Sequence, residues 1–303
     1  MGTSLKGKAK SLLRRVPLIE RELKRKARKK RFRTEIDLIR GDHTTENTHP
    51  SVLHFSFNKA ATQYIKGILR RCATDAGMVP VDIHDYAFDT DFPYLDQLTA
   101  EEMKQYHYLF KPQGYLYSVF GGMFEGLPDL DQYRTVLVTR DPRDILVSSY
   151  YSIAFSHVEP DKDSGKSDEF ARIREQARSV EVDEHVIQES EGLLDIFRRY
   201  DDLLLKPVPD VHVTSYEEMV ADFPRWLDRL TAYCEFPLGE SLRGELIEEN
   251  ERKKPREENV NRHMRKGEPG NFRQKLKPEM VEILNEKFKP LLERFGFDRD
   301  AGS

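Results

Sequence analysis

The sequence predicts an α/β fold, a single domain with a mainly parallel central sheet flanked by helices. An apolar run at residues 52–55 is followed by apolar residues at helical spacing, which indicates a buried strand that leads into an amphipathic helix. A second apolar run, at residues 135–138, is continuous in the way that is typical of strands buried in parallel sheets. The length agrees, because 303 residues of which 38% are hydrophobic can bury one substantial core.

The first strand-to-helix turn indicates an anion site. Val52-Leu53-His54-Phe55 predicts the strand, and the apolar positions between 65 and 72 predict the buried face of the helix. In the turn, the small residues Ala60-Ala61 let the backbone approach a ligand, and Lys59 adds a positive charge. The first N–H groups of a helix have no intrahelical partner, so they are free to bind an anion. An ordinary strand-helix junction without a ligand is the alternative interpretation.

This turn differs from the nucleoside-triphosphate loop. No Gly-x-x-x-x-Gly precedes Lys59, and Ala60 stands where that loop has a magnesium-binding Ser or Thr. The sequence therefore predicts a phosphate site that is P-loop-like but holds no metal.

The second strand ends in a phosphate-binding side chain. Arg140 follows the strand directly, which places its guanidinium at the carboxyl edge of the sheet, where open α/β folds bind ligands. Asp141 is predicted to cap a helix that begins at Pro142, and Ser148 lies about two turns into that helix. The alternative is a surface helix that exposes Arg143-Asp144.

Both segments resemble the cofactor motifs of the sulfotransferases that use 3′-phosphoadenosine 5′-phosphosulfate (PAPS). Arg265-Lys266-Gly267, followed by Gly270-Asn271-Phe272, resembles the family's C-terminal loop, which closes over the 3′-phosphate. Tyr216, in Val213-Thr214-Ser215-Tyr216-Glu217-Glu218-Met219, resembles the tyrosine of the family's Tyr-Glu-Asp-Met segment, which contacts adenine. The resemblance runs from about residue 50 to the C-terminus and implies a PAPS-dependent sulfotransferase.

The resemblance implies a role for each matching residue. Lys59 and Thr62 would hold the 5′-phosphosulfate, and Tyr64 would stack on the base in place of the family's usual tryptophan. Gln63 replaces a second threonine. The backbone cradle would comprise Ala60, Ala61, Thr62, Gln63 and Tyr64, and the 3′-phosphate would be bound by Arg140, Ser148, Arg265, Lys266 and Gly267.

Sulfuryl transfer resembles phosphoryl transfer, in which positioning and stabilisation of charge on the leaving oxygen dominate. Lys59 is the predicted stabilising group, and the lower charge of sulfate demands no metal.

The sequence departs from the best-known cytosolic members of the family at the general base. Well-known cytosolic members have Lys-Thr-His after a strand, and the comparable stretch here is Tyr108 to Gln113, which keeps Lys111 but has glutamine in place of histidine. Glycan sulfotransferases place a carboxylate shortly after the first helix, a region that contains Asp82 and His84 here. These two side chains share one face if the region is a strand, and His84 titrates nearest to neutral pH. A solvated loop is the alternative.

The later chain predicts further elements and suggests no additional motif. Residues 156–181 are polar and contain Pro and Gly, so we expect a mobile loop that acts as a lid. Helices are predicted at 182–205 and at Pro278 to Phe295.

The N-terminus differs in charge from the rest of the chain. Residues 1–33 contain 14 Lys and Arg against 2 Glu, a net charge of +12, while the whole chain carries −4. We therefore predict a basic arm over residues 1–45 and a sulfotransferase domain over 46–303. The charge of residues 1–33 suits peripheral contact with an anionic membrane or an acidic partner, and equally suits a solubilising tail or a dock on the acidic body.

Composition agrees with a cytoplasmic globular enzyme but does not distinguish one enzyme from another. The two cysteines argue against a disulfide scaffold, and no apolar run is long enough for a membrane span or a signal peptide. We expect a small-molecule, lipid or glycan acceptor and no nucleic-acid partner, and the oligomeric state stays open. Two rival hypotheses are a nucleotide or nucleoside kinase and a non-catalytic sensor of 3′-phosphoadenosine 5′-phosphate (PAP).

Overall fold

The computed structural model describes residues 17–127, 129–156, 167–253 and 268–297. The strands in these ranges are β1 (Val52–Ser56), β2 (Val79–Val81), β3 (Tyr115–Phe120), β4 (Arg134–Thr139) and β5 (Val211–Ser215). They form one sheet in the order β2-β3-β1-β4-β5, and every neighbouring pair is parallel. The predicted α/β class and its parallel sheet are confirmed.

Helices cover the sheet and connect its strands. Their bounds, in chain order, are α1 Pro17–Arg31, α2 Arg33–Ile39, α3 Thr62–Asp75, α4 Ile83–Asp89, α5 Ala100–Met103, α6 Pro142–Tyr151, α7 Ser167–Arg178, α8 Val182–Tyr200, α9 Tyr216–Ala221, α10 Phe223–Tyr233, α11 Glu240–Lys253, α12 Phe272–Lys275 and α13 Pro278–Phe295.

The core is centred on β1, whose five residues are all buried because strands lie on both sides of it. α3 packs its predicted apolar face, which includes Ile65, Leu69 and Cys72, into the same core. The two predicted phosphate turns follow the central strand β1 and its neighbour β4, so parallel pairing brings them to one edge of the sheet.

Two expectations about the later chain have different outcomes. The prediction of a mobile loop over residues 156–181 is wrong for residues 167–178, which form α7, while residues 157–166 lie outside the described residues. α7 is amphipathic and contacts the π-helical turn at Ser152–Ser156. Arg174 and Arg178 donate hydrogen bonds to the carbonyls of Ile153 and Ala154, respectively. The helices predicted at 182–205 and at 278–295 are confirmed, with a π-helical turn over Asp201–Leu205 ending the first.

The basic arm is joined to the body at its C-terminal end. Phe32 and Leu38 are buried in the described structure, and the buried carboxylate of Glu35 accepts a hydrogen bond from the backbone N–H of Asp82 at 2.7 Å. Residues 1–16, also part of the predicted arm, lie outside the described residues. Among the helices that the structure describes, none has the length and apolar character needed to cross a bilayer.

Candidate active site at the carboxyl edge of the sheet

The turn between β1 and α3 is held in a strained conformation that opens its amide groups. Lys59 and Ala61 both have a left-handed backbone, with φ of 72° and 58°. Strain of this kind in residues other than glycine is concentrated at ligand-binding sites. No described group accepts a hydrogen bond from the N–H of Ala61, Thr62 or Gln63, so three backbone donors at the start of α3 are available for an anion.

Side-chain hydrogen bonds stabilise this turn. The Thr62 hydroxyl donates to the carbonyl of Phe57 at 3.1 Å and lies 3.0 Å from the Ser56 hydroxyl. Thr62, predicted to bind the phosphosulfate, thus supports the turn through its side chain and offers its N–H to the site. Lys59 Nζ donates to Ser152 Oγ at 2.7 Å, which adds Ser152 to the site.

Arg140 connects the two predicted phosphate motifs directly. Its Nη1 donates to the carbonyl of Lys59 at 2.7 Å, and its guanidinium stacks on the ring of Tyr216, 4.4 Å from the centroid. Its Nε is buried and has no acceptor among the described residues. A buried donor without an acceptor is costly, so the arrangement suits a phosphate oxygen.

The predicted C-terminal motif, residues 265–272, is anchored to the helix that follows Arg140. Asp144, buried in the first turns of α6, accepts hydrogen bonds from the N–H groups of Gly270 and Phe272 at 2.7 and 2.9 Å. This contact brings the end of the predicted C-terminal loop to the side of Arg140. Arg265, Lys266 and Gly267 themselves lie outside the described residues, so their predicted role stays a prediction.

One face of α6 carries polar groups toward the turn. Asp144 lies 3.7 Å from the Arg140 guanidinium, and Ser152, eight residues further on, accepts from Lys59. Ser148 lies on the same face between them, since residues four apart on a helix are neighbours. Ser152 is not among the site residues predicted from the sequence, although its spacing from Asp144 and Ser148 places it on this face.

The predicted aromatic contacts have separate surroundings. Tyr64 donates its hydroxyl to Asn250 Oδ1 of α11 at 3.0 Å, and Lys253 Nζ lies 5.1 Å from its ring centroid. Burial raises the pKa of Tyr64 to about 12, so the phenol is neutral at working pH. The side chain of Gln63 is exposed. The structure therefore places Tyr216 beside Arg140 and ties Tyr64 to α11.

The surface-helix alternative for Arg143 is wrong. Asp141 caps α6, as predicted, and its carboxylate accepts from Arg143 Nε and Nη2 at 2.9 and 2.6 Å. The Arg143 guanidinium is fully buried and lies 4.2 Å from the Phe272 ring centroid. This ion pair fixes the start of the helix that follows Arg140 and carries Asp144.

The region of the predicted base is a helix start, and the strand hypothesis for it is wrong. β2 ends at Val81, and Asp82 caps α4 by accepting from the N–H of Asp85. The Asp82 carboxylate also forms an ion pair with the buried Lys66, which Asp85 shares at 3.0 Å. Burial raises the pKa of Asp82 to about 6. Although burial opposes the effect, the charge of Lys66 lowers the pKa of Asp85. Asp82 is thus held inside an ion-pair network.

His84 is placed beside the anion turn. A small cavity of about 10 Å³, room for about one water molecule, is lined by His84, Tyr94, Asp96 and Gly121, among others. A Cβ built on Gly121 would lie 3.9 Å from His84 Cε1 and 3.5 Å from Asn58 Oδ1. Since Asn58 precedes Lys59, this imidazole and the turn face the same small space.

The stretch compared with the family's Lys-Thr-His segment was wrongly aligned. Lys111 and Gln113 precede β3 and lie at the opposite edge of the sheet, where Gln113 pairs with Pro50. The residues that follow β3 at the carboxyl edge are Gly121 and Gly122. Neither has a side chain that can take a proton, so a base must come from a neighbouring element.

A cavity of about 550 Å³ opens on the far side of the same edge. Its lining includes Asp141, Glu217, Glu218, Gly270 and Arg273. Glu217 Oε1 accepts from the N–H of Asp141, while Oε2 is buried without a described partner, and burial raises the pKa of Glu217 to about 7. Three carboxyl groups and two arginines, Arg273 and Arg294, line this cavity, so its charges are mixed.

Three solved structures resemble this chain. The structure of the mouse sulfotransferase SULT7A1 complexed with PAP is 16% identical, with a TM-score of 0.50, and the match covers 87% of this chain and 91% of that chain. Sulfotransferase STF9 from Mycobacterium avium is 12% identical over 89% of this chain and 82% of that chain, with a TM-score of 0.48. A retinol dehydratase in complex with androsterone and inactive cofactor PAP is 18% identical over 82% of both chains, with a TM-score of 0.45. At these identities the similarity to SULT7A1 shows a shared fold.

Family membership follows from the sequence profile. No curated protein sequence gives a significant match. The profile of the family described as sulfotransferase domain matches residues 127–296, which is more than half of the chain and includes β4, α6, β5 and the segment anchored by Asp144. The chain therefore belongs to the sulfotransferase domain family and is a sulfotransferase.

Proposed function

We propose that this enzyme transfers the sulfuryl group of PAPS to a hydroxyl or amine of its acceptor, with Lys59 and His84 as the catalytic residues. The observation that carries the proposal is the contact between the two anion motifs. Arg140 donates to the carbonyl of Lys59 at 2.7 Å while its own Nε has no described acceptor. One ligand with two phosphates would bring acceptors to both ends of this arrangement.

The nucleotide would be bound by residues on both turns. The amides of Ala61, Thr62 and Gln63, together with Lys59, suit the 5′-phosphosulfate, while Arg140 and Ser148 suit the 3′-phosphate. Arg265, Lys266 and Gly267 are proposed to complete the 3′-phosphate site, because Asp144 holds the chain three residues further on. Tyr216 and Tyr64 are proposed as the aromatic side chains that contact the adenine ring.

The proposed transfer is an in-line displacement. A new bond forms between sulfur and the acceptor oxygen or nitrogen, and the bond between sulfur and the bridging phosphate oxygen breaks. Lys59 stabilises the charge that develops on the departing phosphate oxygen. His84 takes the acceptor's proton, since its imidazole faces the space beside Asn58 and Gly121. Asp82 is the weaker candidate, because Lys66 already engages its carboxylate.

The acceptor is proposed to be a small molecule, lipid or glycan, and the compartment the cytoplasm. Two buried free thiols support a reducing compartment, and burial raises the pKa of Cys72 to about 11, which keeps it protonated and unreactive.

Calorimetric titration with PAP, beside ATP with magnesium, tests the proposal. We expect tight binding of PAP alone, and about 10- to 100-fold weaker binding for Lys59→Ala and for Arg140→Ala, because each removes a charged hydrogen-bond donor. Lys289→Ala and Arg172→Ala, at exposed positions, are matched controls that leave affinity unchanged. A preference for magnesium ATP would favour the kinase. PAP binding without transfer of label from PAPS to any acceptor would favour the sensor.

A further inference from the structure

A basic helix stands at one corner of the molecule. α1 has eight Lys and Arg, at positions 21, 24, 25, 26, 28, 29, 30 and 31, against two Glu. Its side chains from Leu23 to Arg31 are exposed. Arg25 pairs with Glu22 at 2.9 Å, but no described carboxylate pairs with Lys26, Lys29 or Lys30. A dense positive charge therefore faces solvent.

The end of this helix is fastened to α4. Arg31 forms ion pairs with Asp85 at 2.9 Å and Asp89 at 2.7 Å. The next residue, Phe32, is buried and packs edge-on against Tyr86, with ring centroids 5.4 Å apart. These contacts give the base of the helix a defined place on the body, beside the helix that carries His84.

Large apolar side chains are exposed on α1 and on segments that contact residues 31–39. Leu23 on α1 is 47% exposed, Phe88 on α4 is 38% exposed and Tyr108 is 43% exposed. Phe88 adjoins Asp89, which binds Arg31, and the Tyr108 hydroxyl donates to the carbonyl of Ile39 at the end of α2. Aromatic side chains next to Lys and Arg are typical of surfaces that enter a membrane interface.

We propose that this α1 corner, consisting of residues 22–31 with Phe88 and Tyr108, docks on an anionic lipid bilayer. The charge is complementary to such a surface, to which each Lys or Arg near the headgroups adds attraction. The exposed leucine and aromatic rings favour a bilayer over a polyanion in water, which offers no apolar layer. Residues 1–33 carry +12 and the whole chain carries −4, so residues 34–303 carry −16. An anionic membrane would therefore attract the α1 corner and repel the rest of the molecule.

The docked orientation bears on the acceptor. His84 and the Arg31 partners Asp85 and Asp89 lie on the same short helix, so the corner and the cavity beside His84 are neighbours. Given the proposed function, an acceptor that resides in the bilayer would reach the site without crossing bulk water. Membrane docking itself does not depend on that function.

Sedimentation of the full chain with vesicles tests the docking. We expect the chain to bind vesicles of phosphatidylcholine with phosphatidylserine, not vesicles of phosphatidylcholine alone, and to be released as salt rises. Lys26→Glu, Lys29→Glu and Lys30→Glu combined should weaken binding by at least about 100-fold. The control combines Arg172→Glu, Arg225→Glu and Lys289→Glu, which changes net charge equally at exposed sites elsewhere and should leave most of the binding.

A second variant separates the apolar contribution. Phe88→Ser with Tyr108→Ser should weaken vesicle binding about 10-fold or more while leaving retention on a heparin column unchanged. Equal binding of the Lys26, Lys29 and Lys30 variant and the wild type to the anionic vesicles would overturn the proposal. Heparin retention without vesicle binding would overturn it as well, in favour of a water-soluble polyanion. PAP affinity measured without lipid reports separately on the proposed function.

Discussion

Gly121, the first residue after β3, has no side chain at the place where the anion turn and His84 approach each other. A methyl group there would lie at van der Waals distance from both Asn58 Oδ1, 3.5 Å, and His84 Cε1, 3.9 Å. Alanine would therefore fit without a clash and would fill space beside His84, the proposed general base. Glycine at this position leaves that space unfilled between the imidazole and the side chain of Asn58.

We expect Gly121→Ala to lower kcat/KM for the acceptor about 10-fold or more, because small displacements of a reacting group are costly. The affinity for PAP should be unchanged, since the amides of the turn are untouched. Gly192→Ala is the control, because nothing lies within 4 Å of a Cβ built at that helical glycine. A parallel loss of PAP affinity would place Gly121 in the nucleotide site and contradict its role as a spacer for the acceptor.

Substitutions of His84 and of Asp82 distinguish a catalytic role from a structural one. His84→Gln should lower kcat by about 10²- to 10⁴-fold and remove one limb of its pH profile, because it removes the proposed general base. Asp82→Asn should instead cost about 1–3 kcal/mol in the free energy of unfolding, because it disturbs a buried partner of Lys66. Steady-state kinetics and urea unfolding of both variants provide the measurements. Unchanged turnover in His84→Gln would remove histidine as the base.

Glu217 makes stability depend on pH. Its pKa is about 7 in the folded chain because of burial, whereas 4.5 is its ordinary value. The folded state thus holds the proton more tightly, and this contribution is present below pH 4.5 and lost as pH rises through about 7. We expect Glu217→Gln to flatten the fall in Tm between pH 5 and 8 relative to the wild type. Identical slopes in thermal scans would show that Glu217 titrates normally.

At the scale of elements, α6 organises most of the site. Its capping residue Asp141 holds Arg143, and its first turns hold Gly270 and Phe272 through Asp144. Ser152, just past its end, accepts from Lys59. A single helix therefore contacts all three predicted cofactor motifs. It follows Arg140 directly, holds Gly270 and Phe272 of the C-terminal motif, and leads to Ser152, which binds Lys59.

Asp144→Asn tests this coupling. Asparagine has one carbonyl oxygen, so one of the two backbone N–H groups is left without an acceptor, at a cost of about 1–3 kcal/mol. We expect PAP affinity to fall about 10-fold, because the segment before Gly270 loses its anchor beside Arg140. The measurement is calorimetric titration with PAP, with circular dichroism as a check of folding. An unchanged Kd with reduced stability would mean that the anchor supports the fold alone.

At the scale of the molecule, the predicted arm, residues 1–45, contains both exposed and buried residues. The α1 side chains from Leu23 to Arg31 are exposed, whereas Phe32 and Leu38 are buried in the main core or beside it. The arm ends as part of the body.

Two substitutions in the arm measure this difference. Phe32→Ala should lower the free energy of unfolding by about 3–5 kcal/mol, because it removes a buried ring. Leu23→Ala should change it by less than about 0.5 kcal/mol, since that side chain is largely exposed. Urea unfolding monitored by fluorescence gives both values. Equal small effects would show that the whole arm is separate from the domain.

Local patterns predicted the sheet and its two turns well. Continuous apolar runs and the cap at Asp141 depend on neighbouring residues, so β1, β4, α3 and α6 followed from the sequence. Contacts over long separations did not follow. The Lys59–Ser152 hydrogen bond and the Asp144–Gly270 hydrogen bond join residues 93 and 126 positions apart.

The base region shows why the remainder failed. Asp82-Ile83-His84-Asp85 alternates as a strand would, but Asp82 caps the following helix and pairs with Lys66, a residue of α3. The misplaced Lys111 comparison has the same origin, because only strand pairing tells which residues reach the carboxyl edge. Tertiary contacts decided both.

The strand order also constrains synthesis of the chain. β1 is the central strand, yet its partners β3 and β4 begin at Tyr115 and Arg134. At about 5–20 residues per second, a ribosome needs roughly 3 to 12 s after Ser56 before β3 begins to be made. During that interval five residues destined for complete burial have no strand to pair with. The nascent chain therefore exposes these residues until β3 and β4 are available to pair with β1.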